Sequence, residues 1–218
     1  ENGHRVGVAG WKYFLEAESP ETTLEIPSYL ADSLREVAGG PSRITNETAI
    51  FMDAERGLRV LNEAEQLACF EHAAAHTSTA VRNVLFGLRP GMTEREAVRL
   101  MGINGIPLSC HLMLSSGPRA AMGLPSPSGR RIEEGDRFTT AYGVWGALNC
   151  RAGFVVRDEN GLPEKARGYV GKLVAPYFEA IVEWYETIGI GVRGGELYEV
   201  IHRRLGDPFF GVKLNPGH

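Results

Sequence analysis

Two residues in this sequence are the first candidates for a direct part in a reaction. His218 follows Pro216-Gly217, and its imidazole can act as acid, base or hydrogen-bond donor near neutral pH. Cys150 carries a thiol, which is a nucleophile in its thiolate form. Each also has an ordinary interpretation, because a histidine after Pro-Gly is typical of a surface loop and a free cysteine is typical of a buried strand position.

Tyr142 and Arg151 stand close to Cys150 in the same stretch. An aromatic ring there can form the wall of a pocket, and a guanidinium can hold a carboxylate through two parallel hydrogen bonds. Core packing and a solvated strand edge are the alternatives. Cys110 and His111 are adjacent, but side chains alternate along a strand, so we predict that they point to opposite faces and form no Cys–His dyad.

Composition and charge exclude several classes of function. The 218 residues carry 27 acidic and 23 basic side chains, a formal net charge of -4 that offers nucleic acid no basic surface. No apolar run approaches the roughly 20 residues that a membrane helix requires. The three cysteines are an odd number without a Cys-x-x-Cys pair, which argues against a disulfide framework or structural zinc. We therefore expect a cytoplasmic protein that binds neither nucleic acid nor membrane.

A β-hairpin is predicted to position Tyr142, Cys150 and Arg151. The stretch 133–156 opens with a Gly135-Asp136 turn and then alternates side-chain character from 137 to 142. Glycines at 143 and 146 mark a second turn, after which a returning strand reaches Val156. Tyr142 and Cys150 therefore lie on opposite strands of one hairpin.

Two helices are predicted to precede the hairpin. The first covers 63–88, where one face is formed by side chains at steps of three and four, namely Leu67, Phe70, Ala74, Thr77, Val81, Val84 and Leu88. Thr93 with Glu96 three positions on is a capping box, so a second helix begins there and runs to about Met101.

Shorter elements fill the rest of the chain. We predict strands at 5–9, 49–51 and 107–116, a helix at 26–37, a long helix at 169–185 with a kink at Pro176, and a helix at 197–205. Residues 88–98 and 190–200 also superpose, with Glu94 on Glu196, each after a long helix. A repeat of this length fits two pseudo-symmetric halves of one domain better than a solenoid.

This order of motifs resembles the pita-bread family, which includes methionine aminopeptidase, aminopeptidase P, prolidase and creatinase. The resemblance covers about 57–218 and implies an α+β fold with a curved antiparallel sheet. In the metallopeptidase members one metal-binding Asp precedes an x-Gly on the first hairpin strand, and a second lies on the returning strand. Those positions fall here on Ala141 and Cys150, which face each other across the two strands. Because hard or borderline cations need a carboxylate pair there, we predict no metal and no other cofactor.

The resemblance also assigns two further positions. His218 matches the Gly-His of the family, where the histidine is a metal ligand in the peptidases and a site residue in creatinase. The substrate-side histidine of the family falls on Leu124, so the sequence departs from both mechanisms. Residues 1–57 resemble the tail of the N-terminal domain of prolidase and creatinase, and 58–218 resemble the catalytic-type domain without its C-terminal end. Since the sequence starts at Glu1 rather than Met, we expect it to begin and end inside a longer chain.

Two functions follow from the resemblance. The first is a metal-independent hydrolase that cleaves a C–N bond of a small amidine, amide or dipeptide-like substrate and works as a homodimer. His218 would be its catalytic proton carrier, and Leu124, Ala141, Tyr142, Cys150 and Arg151 would contact the substrate. The alternative is a non-catalytic relative that keeps the cleft for binding peptides, as the histone-chaperone members of this fold do. The fold alone does not decide between these two functions.

Overall fold

The computed structural model describes residues 5–10 and 21–212, and the chain divides into two units, residues 1–72 and 73–218. The first unit contains a two-stranded parallel sheet. Its strands are β1 (Val6–Val8) and β2 (Ile44–Asn46), and α1 (Ser28–Ala38) lies between them in the chain. The predicted strand at 5–9 and helix at 26–37 are confirmed. The predicted domain boundary at 57/58 stays a prediction.

The predicted strand at 49–51 is wrong, because these residues form the helix α2 (Ala49–Met52). The side chain of Asn46 accepts a hydrogen bond from the backbone N–H of Thr48, which turns the chain directly after β2. The carbonyl of Thr48 then accepts from the N–H groups of Phe51 and Met52. Three apolar residues alone do not distinguish a strand from one helical turn.

The long helix α3 (Ala64–Gly87) matches the predicted range 63–88. Its buried residues are Ala73, Thr77, Ala80, Val81 and Val84, which recur at steps of three and four. Leu67, Phe70 and Ala74, which we placed on that face, are exposed. The predicted face is therefore confirmed at Thr77, Val81, Val84 and Leu88, whereas the first turns of the helix, which carry Leu67 and Phe70, are exposed.

The capping box predicts the start of α4 (Glu94–Val98) correctly. The Thr93 hydroxyl accepts from the N–H of Glu96 at 3.2 Å, and the Glu96 carboxylate accepts from the N–H of Thr93 at 2.7 Å. A single 3-10 turn (Arg99–Met101) follows, and Gly102 ends it in the left-handed region with φ 66°. The predicted end at about Met101 is confirmed.

A three-stranded antiparallel sheet follows, in the order β3 (Met113–Ser116), β4 (Arg137–Val144) and β5 (Ala147–Phe154). The predicted hairpin is confirmed. The predicted strand 107–116 is too long, because only its last four residues pair with β4 and Leu108 makes an isolated bridge to Val144. Between these points the chain crosses the end of the hairpin. It can do so because Gly143 has no side chain, and a Cβ there would lie 2.5 Å from the Ser109 hydroxyl.

The two faces of this sheet have different surroundings. Leu114, Phe138, Tyr142 and Val144 belong to one buried cluster with Val81 and Val84 of α3, so this is the core face. Side chains alternate along a strand, and directly opposed residues share a face. Met113, Ser115, Thr139, Ala141 and Cys150 therefore point the other way, and this second face is called the distal face below.

The last elements form a helix pair. A π-helical turn (Val170–Val174) leads into α5 (Ala175–Thr187), which packs on α6 (Gly194–Leu205) through Ala180, Ile201 and Leu205. The helix predicted at 169–185 is confirmed, since the π-helical turn and α5 are continuous. Pro176 has no N–H to donate inside this run and lies two residues after the π-helical turn, while the predicted kink there stays a prediction. The helix predicted at 197–205 is confirmed, whereas the pseudo-symmetry of two halves stays a prediction. Among the described residues no helix is both long and apolar enough to cross a membrane.

Candidate functional site

The centre of the candidate site is a row of three residues across the distal face. Met113 pairs with Ala141, and Ala141 pairs with Cys150, so the predicted opposition of Ala141 and Cys150 is confirmed. Ala141 is fully buried, whereas Cys150 on the edge strand is exposed. The row presents a methyl group, a thioether and a thiol. Because only the thiol of Cys150 can react as a nucleophile, the reactive group lies at the open end of the row.

A polar pair lies one step along the same face. The hydroxyl of Thr139 donates to the carbonyl of Gly123 at 2.9 Å, so its single proton is used there. The hydroxyl of Ser115, 2.8 Å from the Thr139 oxygen, must therefore be the donor of that pair. These bonds hold the loop that contains Gly123 against the distal face.

The same loop contains Leu124. The Nε2 atom of His111 lies 3.4 Å from the Leu124 carbonyl oxygen, and His111 itself is exposed. Because Thr139 bonds to the carbonyl of Gly123, the backbone next to Leu124 lies at the face of Ala141 and Cys150. His111 is an ionisable residue that sequence reasoning discarded, because residues 109–112 were treated as a strand. They belong to no strand, so alternation does not decide where Cys110 and His111 point.

Tyr142 and Arg151 are not brought together with this group, because both lie on the core face. Tyr142 is fully buried, its ring centroid lies 5.8 Å from that of His76, and its hydroxyl is 3.5 Å from the Nε2 atom of His76. Burial raises the pKa of Tyr142 above its usual value. The position next to a distal-face residue always points to the core face, since strand side chains alternate.

Arg151 is held locally on that face. Its guanidinium donates to the side chain of Asn149 at 2.6 Å and to the carbonyl of Cys150 at 2.6 Å. Asn149 in turn donates to the Ser78 hydroxyl of α3 at 3.0 Å. Asn149 therefore ties the edge strand to the long helix, and Arg151 holds Asn149 in place. His218, the proposed proton carrier, lies outside the described residues.

A buried carboxylate, which sequence reasoning missed, anchors the start of the site region. Glu94 at the first position of α4 is fully buried. One of its oxygens accepts from the N–H and hydroxyl of Ser116 at 2.8 and 3.0 Å. The other accepts from the N–H and hydroxyl of Ser128 at 2.8 and 2.7 Å and from the guanidinium of Arg119. Glu94 thus joins α4, the end of β3 and two loops.

The protonation of Glu94 follows from two opposing effects. Burial by itself raises the pKa of the carboxyl group, but the hydrogen bonds donated by Ser128 and Ser116 outweigh it, so its pKa lies below the ordinary value of 4.5. Glu94 is therefore a carboxylate near neutral pH. In the sequence, only the alignment of Glu94 with Glu196 draws attention to this residue. Its burial cannot be predicted from its neighbours in the sequence, because it depends on residues 22 to 34 positions away.

A second ion pair continues this network. Arg130 donates to both oxygens of Asp136, at 2.6 and 3.1 Å, and to the Ser116 hydroxyl at 2.8 Å. Hydrogen bonding to Asp136 raises the pKa of Arg130 further. Gly117 passes directly beside the pair, with φ 57° and space for no Cβ, which would lie 2.6 Å from Arg130 Nη2. The predicted Gly-Asp turn thus ends at a partly buried ion pair.

The residues of the distal row do not fit the metal pair that the resemblance implies. Ala141 offers no lone pair, and Cys150 offers a single thiol where a bridging pair of carboxylates would be needed. Within residues 5–10 and 21–212, no three His, Cys, Asp or Glu side chains are grouped so that they could hold a metal ion.

Comparison with known proteins establishes the fold. No protein-family profile matches the chain, and no curated protein is similar to it in sequence. Solved structures do match. Prolidase from Pyrococcus furiosus has a TM-score of 0.67 and 20% sequence identity, and the match covers 95% of this chain and 56% of the prolidase chain. Xaa-Pro dipeptidase from Bacillus anthracis has a TM-score of 0.65 and 19% identity, and the match covers 95% of this chain and 54% of the dipeptidase chain. X-Pro aminopeptidase from Thermotoga maritima also matches, with a TM-score of 0.64 and 17% identity over 86% of this chain and 51% of the aminopeptidase chain.

The chain therefore has the fold of the Xaa-Pro peptidases, and the predicted pita-bread α+β fold is confirmed at that level. The chain spans about half the length of these proteins. At 17% to 20% identity the likeness concerns the fold, and the chemistry must be argued from the residues of this chain.

Proposed function

We propose that this chain is part of a metal-independent relative of the Xaa-Pro peptidases that hydrolyses a C–N bond. The substrate class is a small amidine, amide or dipeptide-like molecule. The structural neighbours named as prolidase, Xaa-Pro dipeptidase and X-Pro aminopeptidase support the peptidase relationship. From the sequence and the resemblance we also propose a homodimer in the cytoplasm.

The observation that carries the proposal is the direct pairing of Ala141 with Cys150. These are the positions at which the resemblance expects the two metal-binding carboxylates. This chain has a methyl and a thiol at these two positions, which supports a mechanism without the metal pair. A hydrolase built on this row must therefore activate water with an ionisable side chain rather than with a metal pair.

The reaction then needs one proton carrier and one substrate wall. Water adds its oxygen to the carbon of the C–N bond, one water proton reaches the nitrogen, and the bond breaks to release the amine. His218 is proposed to take the proton from water and return it to the leaving nitrogen, which suits an imidazole near neutral pH. Leu124, Ala141 and Cys150 are proposed to form the wall. Tyr142, which packs in the core, and Arg151, which bonds to Asn149, are proposed to position the hairpin from the core face.

Metal analysis and turnover together test the proposal. Purified protein should contain less than one equivalent of Mn, Co or Zn per chain. In a screen of Xaa-Pro dipeptides, creatine-like amidines and N-acyl amino acids, hydrolysis should persist with a chelator. It should be lost in His218→Ala but kept in His72→Ala, a matched change of an exposed histidine on α3.

Two results would contradict the proposal in different ways. Two metals per chain, with activity abolished by the chelator, would show that the protein is a metallopeptidase. Tight binding of a peptide without any turnover would instead support the non-catalytic peptide-binding alternative.

A further inference from the structure

A groove lies at the start of the hairpin, away from the row of Ala141 and Cys150. It has a volume of about 390 Å³, and its lining includes Gly117, Arg137, Phe154, Pro163, Lys165 and Ala166. This volume falls in the range of about 300 to 1,000 Å³ that is typical of small-molecule sites. Arg137 and Phe154 are directly paired between β4 and β5, so the rigid hairpin forms one wall. The 3-10 turn Glu164–Ala166 forms the other.

Two cationic side chains in this groove have unused hydrogen-bond donors. Arg137 uses its Nε atom to donate to the carbonyl of Gly117 at 3.1 Å. Its two terminal nitrogens make no hydrogen bond or ion pair with any other described residue. Lys165 is exposed and has no such partner within the described part of the chain. Both side chains therefore keep N–H donors that have no acceptor among the described residues, which suits an anionic ligand.

One carboxylate, Asp136, also lines the groove, but its charge is already compensated. It accepts two hydrogen bonds from Arg130, at 2.6 and 3.1 Å, and one from the N–H of Glu133 at 2.8 Å. Among the residues that line the groove, the remaining charged side chains are therefore Arg137 and Lys165. An anion entering the groove meets two cations whose charges are not neutralised by an ion pair.

The rest of the wall is apolar. Phe154, Pro163 and Ala166 line the groove, and the ring of Phe154 is fixed by an edge contact with Tyr169 at a centroid distance of 5.2 Å. A wall of this kind contributes by removing apolar ligand surface from water. A small inorganic anion would leave this wall uncovered. The lining therefore favours a ligand with a carboxylate at one end and an apolar body at the other.

The groove is separate from the candidate reaction row. Arg137 and Ala141 are on the same face of β4 but four residues apart, which is roughly 13 Å along an extended strand. An extended dipeptide spans only about 7 Å. A dipeptide-like substrate at Ala141 and Cys150 thus does not reach Arg137, so the groove needs its own ligand.

We propose that this groove is a binding site for a small amphipathic carboxylate of the size of an N-acyl amino acid, gripped by Arg137 and Lys165 with its apolar body on Phe154. The site does not depend on the proposed hydrolysis, because it uses none of the same residues. A ligand held there would contact both strands of the hairpin and the 164–166 turn at once.

Calorimetric titration of the full chain with N-acetyl-leucine tests the site, and N-acetyl-leucinamide provides an uncharged probe with the same apolar body. Binding of the acid should weaken roughly tenfold in Lys165→Gln and in Arg137→Gln, since each removes a charged hydrogen-bond donor. The matched control Arg157→Gln removes an exposed cation near the end of the hairpin that does not line the groove, and it should bind like the wild type. Raising the salt concentration should also weaken binding of N-acetyl-leucine.

Several outcomes would overturn the proposal. These are no binding of the acid by the wild type, equal affinity for the acid and the amide, or unchanged affinity in both groove variants. Lys165 is exposed and makes no hydrogen bond to any described residue, so we expect Lys165→Gln to fold normally. Its affinity for the acid therefore tests the proposal even if Arg137→Gln unfolds after losing its bond to Gly117.

Discussion

Replacing Glu94 by glutamine removes one charge from the interior while keeping the shape of the side chain. The wild-type carboxylate only accepts hydrogen bonds, and five donors from Ser116, Ser128 and Arg119 point at its two oxygens. A glutamine has one oxygen and one NH2 group. Whichever way the amide is turned, its NH2 meets a backbone N–H, of Ser116 or of Ser128, that then has no acceptor.

The expected cost can be worked from these contacts. An unsatisfied buried N–H costs about 1 to 3 kcal/mol, and the remaining donors lose charge-assisted bonds. Breaking a buried ion pair typically costs about 3 to 5 kcal/mol. The side chain of Arg119 is 32% exposed and can turn toward water, which places Glu94→Gln near the lower end. We expect a loss of about 3 kcal/mol in the free energy of unfolding, a large part of the roughly 5 to 15 kcal/mol of a typical domain.

Urea unfolding followed by far-UV circular dichroism measures this loss. The matched control is Glu196→Gln, because Glu196 aligns with Glu94 in the sequence repeat but is exposed on α6. The control should leave the urea midpoint unchanged. A loss below about 1 kcal/mol in Glu94→Gln would refute the reasoning, since it would mean that the five bonds contribute no more than an average surface contact.

The same carboxylate gives a pH dependence of known sign. Its pKa is lower in the folded protein than the ordinary value of 4.5. The folded state therefore gains stability from Glu94 above pH 4.5, and that gain is lost as the pH falls through the folded pKa. The difference in unfolding free energy between the wild type and Glu94→Gln should thus be constant near neutral pH and should shrink below about 4.5. A difference that grows with acidity would contradict the assignment.

Two further predictions concern backbone geometry. Gly143→Ala places a Cβ 2.5 Å from the Ser109 hydroxyl, and we expect a loss of about 1 to 3 kcal/mol in urea unfolding. The control Gly129→Ala meets no atom within 4 Å and should be neutral, so equal losses in both variants would exclude the steric explanation. Thr93→Ala removes the cap that bonds to Glu96 and should cost about 1 kcal/mol by the same assay, with no loss indicating that water replaces the cap.

Features that depend on neighbouring residues could be predicted from the sequence. The capping box located the start of α4, and the alternation and glycines located the hairpin. The opposition of Ala141 and Cys150 followed from the same hairpin once its turn was known. Because side chains alternate along a strand, the sequence also indicates that Tyr142 and Arg151, next to Ala141 and Cys150, point to the opposite face.

What the sequence by itself determined was the start of α4, the hairpin and the identity of the paired residues at its centre. Only the tertiary structure decided that Glu94 is buried, that the loop at Gly123 is bonded to the distal face, and that Arg137 and Lys165 share a groove. Helix caps and strand alternation act over a few residues, so they can be read along the chain. Burial and charge compensation depend on partners far apart in sequence, such as Glu94 with Ser128, and they exist only once the chain has folded.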